Sequence, residues 1–186
     1  MEIFRVESGE NEVVDRIVRP SSIPDLGRLR IGEREEYGPL NEPESPLPEL
    51  PEHPEDGPWE ASNPAGGPWL SGAFQAGLPT GEWRVYSPPG QIMTYGRMEE
   101  GKAEGIWLWY YPSGQLREVG SYSAGMPSGT WKMHYSSGVL FEELSYSEGL
   151  LDGRWTIFHP NGQLAEDRSW SAGKQVGTQV DYALSG

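Results

Sequence analysis

The stretch Gly105-Ile106-Trp107-Leu108-Trp109-Tyr110-Tyr111-Pro112-Ser113-Gly114-Gln115-Leu116-Arg117-Glu118-Val119-Gly120-Ser121-Tyr122-Ser123-Ala124-Gly125-Met126-Pro127-Ser128-Gly129-Thr130-Trp131-Lys132 decides the fold. Residues 106–111 are aromatic-rich and read as a short strand. Pro112-Ser113-Gly114 reads as a tight turn, because proline presets φ and glycine supplies the left-handed position that closes a short hairpin loop. Residues 115–122 read as a second strand, with Leu116 and Tyr122 an even number apart and so on one face. The run from Ala124 to Gly129 then reads as a break that turns the chain into its next unit. The unit is one β-hairpin.

That unit recurs every 24 residues. Glycines stand at Gly57, Gly81, Gly105, Gly129, Gly153 and Gly177, and tryptophan follows two places later at Trp59, Trp83, Trp107, Trp131 and Trp155, failing at Gln179. The turns equivalent to residues 112–114 are Pro88-Pro89-Gly90, Ser136-Ser137-Gly138 and Pro160-Asn161-Gly162. A fixed period of this length is the mark of a repeat array. No span carries a sustained 3.6-residue apolar period. The expected fold is therefore all-β: an elongated single-sheet array of antiparallel hairpins with a mostly irregular N-terminal extension. About eleven strands would make a ribbon on the order of 50 Å long.

Within the array, residues 57–80 are a degenerate repeat, 81–176 hold four regular repeats, and 177–186 form a truncated cap. Pro58, Pro64 and Pro68 weaken the first repeat as a source of strands. Before it, residues 1–56 carry 15 acids and 6 arginines, with prolines at 39, 43, 46, 48, 51 and 54. Short strands are conceivable at 2–6, 13–18 and 28–31, and residues 39–58 read as an extended spacer.

Parity along the first strand of each repeat defines two rows. Trp83 and Val85, Trp107 and Trp109, Trp131 and Met133, and Trp155 and Ile157 share one face; Tyr86, Tyr110, His134 and Phe158 share the other. One row must fill the core. The other packs under the curl of the sheet or stays open for binding.

The formal net charge is −14. Phosphate contacts need clustered Lys and Arg, so the balance argues against nucleic acid. It argues against anionic membrane surfaces for the same reason. A basic protein partner would be attracted and steered. There is no cysteine, and the N-terminus lacks a basic region followed by an apolar run, so a cytoplasmic protein is expected.

Little in the chain points to chemistry. His53, His134 and His159 lie far apart in a linear array and read as repeat-position substitutions rather than metal ligands. Glu118, Glu142 and Glu166 recur at the repeat spacing, each roughly 10 Å from the next, and read as a ladder pairing with neighbours such as Arg117 and Arg168. The glycine-rich segments run into strands, not into the helix N-terminus that a phosphate cradle needs. No catalytic group, cofactor or metal is expected.

The pattern carried by Gly105, Trp107, Tyr110, Gly114, Gln115, Leu116, Tyr122 and Gly125, and again by Gly153, Trp155, Phe158, Gly162, Gln163, Leu164, Trp170 and Gly173, resembles the MORN-repeat family. The Asn-Gly-Gln-Leu form and the acids Glu118, Glu142 and Glu166 look most like its bacterial variant, whose members are often described as YwqK-like antitoxins. The resemblance covers 81–177 well, 57–80 weakly and 1–56 not at all. It implies an elongated hairpin sheet that binds partners, and in some eukaryotic members an association with membranes.

The leading expectation is a non-enzymatic protein-binding module of antitoxin or immunity type that blocks a partner such as a basic toxin. Its candidate contacts are Tyr86, Trp109, Tyr110, His134 and Phe158, with Glu118, Glu142 and Glu166. The alternatives are an accessory subunit tethered to a larger assembly by residues 1–56, and a peripheral membrane protein.

Overall fold

The computed structural model describes residues 50–183 apart from 53 and 89. The strand candidates before residue 32, most of the spacer, His53 and the end of the truncated cap lie outside the described residues.

Twelve strands make one antiparallel sheet: β1 (Gly57–Ser62), β2 (Pro68–Gln75), β3 (Leu78–Ser87), β4 (Gln91–Glu99), β5 (Lys102–Tyr110), β6 (Leu116–Ser123), β7 (Met126–His134), β8 (Leu140–Ser147), β9 (Leu150–Leu151), β10 (Gly153–Phe158), β11 (Leu164–Ser171) and β12 (Lys174–Asp181). Each strand pairs with the next in sequence, except that β8 pairs with both β9 and β10. No helix forms among the described residues. The degenerate first repeat keeps both its strands, paired from Gly57–Phe74 to Ser62–Pro68.

Two kinds of loop alternate. At Pro112-Ser113-Gly114, Tyr111 N–H donates to the Gln115 carbonyl and Gly114 N–H to the Tyr111 carbonyl, each at 2.8 Å. This is a three-residue hairpin closed by a glycine in the left-handed region. The same closure recurs at 135–139 and 159–163.

The second loop corrects the expected break. Residues 124–129 do not interrupt the sheet. Ala124 and Gly125 alone form a two-residue turn, with φ of 50° and 85°, and β7 starts at Met126 directly opposite Ser123. Two successive positive φ values make a turn whose twist matches that of the strands it joins. Ala76, Glu100, Glu148 and Ala172 repeat the conformation. The first strand of each repeat is therefore longer than the aromatic run, because it begins before its own glycine.

That glycine has another task. Between the pairs Ser121–Ser128 and Val119–Lys132, one residue of β6 faces three of β7. Gly129, at φ 65°, takes up the excess as a bulge. The bulge lays Trp131 flat over Gly120, where a Cβ would fall 2.1 Å from the indole ring. Trp83 over Gly72 and Trp107 over Gly96 repeat the arrangement. Among the described residues no second layer covers the core, and the tryptophans cover it themselves. Trp107 and Trp83 are each 1% exposed. Edge-to-face contacts complete the packing: Phe74 with Trp83 at 5.5 Å, and Tyr122 with Trp131 at 5.1 Å. The tryptophan row thus fills the core, and the other row lies on the opposite, outer face.

Candidate functional site: the two faces of the ribbon

A second bulge, near the three-residue loop, sorts the candidate residues. Trp109 pairs with Glu118 and Tyr110 with Leu116, which leaves Arg117 as the extra residue. The equivalent extra residues, Phe141 and Ala165, are buried together with their neighbours Glu142 and Glu166. The bulge therefore turns two consecutive side chains inward.

Its consequence is a single row across the inner face: Leu70, Val85, Thr94, Trp109, Glu118, Met133, Glu142, Ile157, Glu166 and Asp181, each opposite the next. Trp109, Glu118, Glu142 and Glu166 are 4%, 6%, 4% and 7% exposed. The expectation that these four are surface contacts is corrected. Trp109 stacks on Trp107 and Trp131 in the core, with ring centres 6.2 and 5.5 Å away. The glutamates are drawn in by the bulge and held among aromatic rings.

Buried carboxylates need partners. Arg117 approaches Glu118 at 4.0 Å, and Arg168 is ion-paired with Glu166. Glu142 accepts a hydrogen bond from Trp155 Nε1 at 2.7 Å. Burial pushes the Glu142 carboxyl up to about 7, against the opposing pull of that hydrogen bond; Glu118 and Glu166 push the same way as burial, and Arg168 opposes. The hollow beside it is lined by Glu118, Trp131, Lys132, Met133, Glu142, Leu144 and Tyr146.

The outer face is built differently. Tyr86 pairs with Ile92, Tyr110 with Leu116, His134 with Leu140 and Phe158 with Leu164. One aromatic and one aliphatic residue per repeat thus form a half-buried stripe along the ribbon. Beside it runs the line Arg84, Tyr95, Leu108, Val119, Lys132, Glu143. Ile106, next to that line, is 63% exposed. Charged pairs flank this apolar centre. Glu82 binds Arg84 and accepts from Tyr95 Oη at 2.9 Å, and Lys132 meets Glu143 at 3.0 Å. The Tyr95 bond, aided by Arg84, holds the Glu82 carboxyl below its usual range. Arg154 does the same for Asp167, through bonds of 2.8 and 2.6 Å.

Of the histidines, His134 occupies the outer stripe. His159 continues a different series: Tyr111 Oη donates to the His134 carbonyl and Tyr135 Oη to the Phe158 carbonyl, each at 2.7 Å, and His159 Nε2 reaches the Tyr182 carbonyl at 3.1 Å. These side chains staple each repeat to the next. Among the described residues, no three His, Asp or Glu side chains gather as a metal site would require.

The model of the MORN repeat variant matches residues 103–124, 127–148 and 151–171. Three successive hairpin units between residues 103 and 171 thus match that repeat. In MORN terms, each matched segment spans one outward-facing aromatic, one inner tryptophan or its partner row, and one three-residue loop. None of the curated proteins matches the chain. Among solved structures, the crystal structure of TarM is similar to 52% of this chain and 19% of its own, at 12% identity and a TM-score of 0.34. The GtfA/B complex bound to UDP and GlcNAc is similar over 87% of this chain and 31% of its own, at 13% identity and a TM-score of 0.24. The chain thus spans less than a third of each. Both scores are too low to establish a shared fold.

The sequence reading missed Gly72, Gly96 and Gly120, the floor on which the tryptophans lie. Their 24-residue spacing was there to find. It missed equally that Leu144 and Arg168 stand where the same glycine is due.

Proposed function

We propose that the MORN array is a non-enzymatic protein-binding module that engages its partner with the outer face. One observation carries this reading. The inner face is closed by its own tryptophans, whereas the outer face keeps a continuous aromatic–aliphatic stripe with Ile106 at 63% exposure. Exposed apolar stripes rimmed by charge mark interaction sites. Tyrosine and phenylalanine there supply rigid contact area at small entropic cost. Tyr86, Tyr110, His134 and Phe158 remain the candidate contacts.

In its most specific form the partner is a basic toxin that the chain occludes in the cytoplasm, as an antitoxin or immunity protein does. The net charge of −14 would steer such a partner. The test is capture of proteins encoded beside this chain, with Tyr110→Glu and Ile106→Glu as variants. Both substitutions should abolish capture while leaving the unfolding transition in place. Capture that survives both variants, or capture lost only on changing inner-face residues, would rule out the outer face.

A further inference from the structure

The joint between β8 and β10 departs from the regular pattern. Leu144 takes the place of the glycine floor. The strand opposite is interrupted at Asp152 into β9 and β10, with Asp152 N–H bonded to the Ser145 carbonyl at 2.9 Å. Ladder pairing of β8 with β10 is limited to Thr156–Glu143 and Ile157–Glu142. Trp155 stacks against Trp170 with ring centres 5.6 Å apart and carries the Arg168 guanidinium 5.1 Å from its own ring centre.

Glu142 sits at the centre of this joint. On the inner face, β6 presents Glu118 and Arg117 to it, and β11 presents Glu166 and Arg168. From β7 it meets Met133, while Lys132 on that strand is bound to Glu143 on the outer face. From β10 it meets Ile157 and Trp155, while Arg154 is bound to Asp167 outside. The two inner guanidinium groups are thus each paired with one of the other two glutamates.

We propose that the Glu142 carboxyl is a proton-operated latch on the β8–β10 joint. With its proton, it is a neutral group between Met133 and Ile157 in the row, with Glu118 and Glu166 beyond them, and accepts the Trp155 indole bond. Without it, a third negative charge lies buried in the same row, taken out of water and facing like charges from β6 and β11. Opening the joint admits water and relieves both costs. The response is local because the strand opposite β8 is interrupted at Asp152 and this joint lacks the tryptophan-on-glycine seat that ties β4 to β5 and β6 to β7. Burial places the carboxyl at about 7, so the latch works near neutrality.

Amide hydrogen exchange on the whole chain tests this. Protection of β10 is divided by that of β5 at each pH from about 5.5 to about 8.5, which cancels the intrinsic pH dependence. The relative exchange of β10 should rise several-fold through neutrality in the unmodified protein and stay flat in Glu142→Gln, which keeps the shape and an acceptor for Trp155. A flat ratio in the unmodified protein, or the same rise in Glu142→Gln, overturns the proposal. Should that variant fail to fold, carboxyl-carbon NMR titration of the unmodified protein decides. One glutamate titrating near neutrality supports the latch, and all of them titrating below about pH 5.5 overturns it.

Discussion

From β2 to β7 a tryptophan lies on a bare glycine at each repeat; from β8 onward the same positions hold Leu144 under Trp155 and Arg168 under Gln179. The strands have the same order and the same hairpin loops in both regions, so neither strand order nor loop type distinguishes them. Side-chain volume at one position per repeat does. With glycine, the indole lies directly on the backbone of the neighbouring strand. With leucine at 144, the strand opposite breaks at Asp152 and Trp155 binds Glu142; with arginine at 168 the position opposite holds Gln179, and the guanidinium spans Trp155 and Glu166. Tryptophan seated on glycine in the first region and Trp155 bonded to Glu142 in the second follow from that one difference, whereas buried glutamates occur in both, at Glu118, Glu142 and Glu166.

The comparison is broken most severely by removing the indoles. Trp107→Ala should cost about 4 kcal/mol in denaturant unfolding, the usual penalty for emptying a buried aromatic site. Trp155→Ala should also destabilise, but its cost should grow as pH rises through neutrality, because it strips Glu142 of its donor. A cost that does not change with pH would show that the two sites are equivalent after all.

Filling the floor comes next. Gly120→Ala places a methyl 2.1 Å from the Trp131 ring and should cost roughly 3 kcal/mol, the upper part of the usual overpacking range. Urea unfolding of the variant measures it, and a cost under about 0.5 kcal/mol would mean that the indole is not held on the backbone.

The pH dependence of stability is of similar or smaller size. The Glu142 carboxyl is raised from 4.5 to about 7 in the folded chain. The folded state therefore binds the proton more tightly than the unfolded state. The resulting stabilisation is full below about 4.5 and is lost as pH climbs to about 7, a loss on the order of 2–3 kcal/mol. Thermal unfolding of the native protein should show this fall, and Glu142→Gln should lack it.

The smallest effect belongs to neither region alone. Ala124 holds φ at 50° in a turn that prefers Asn-Gly. Ala124→Asn should stabilise by about 0.5 kcal/mol, seen as a small rise in the thermal midpoint. Ala172→Asn, at the equivalent turn of the second region, should do the same. A variant that raises the midpoint of only part of the transition would show that the two regions unfold separately.

Much of this was legible in the chain. The 24-residue period fixed one hairpin per repeat, the three-residue turns with their glycines, and the existence of two rows of opposite parity. The misreadings have definite causes. Residues 124–129 look like a break because Gly125, Pro127 and Gly129 all disfavour strands, yet a two-residue turn and a bulge absorb them within the ladder. Glu118, Glu142 and Glu166 look like surface residues because charged side chains usually are. Their burial depends on an unpaired residue at 117, 141 and 165, and strict alternation cannot register it.

The sequence by itself determined the repeat, the loops and the composition of each row, because these depend on local backbone preference and on period alone. Only the tertiary structure decided which row is core and which is surface, because that choice rests on where bulges in neighbouring strands aim side chains. It alone showed that a glycine on one strand is the seat of a tryptophan on the next. It also set apart the last repeats, where Leu144 and Arg168 put volume in that seat and Trp155 bonds the buried Glu142 carboxyl.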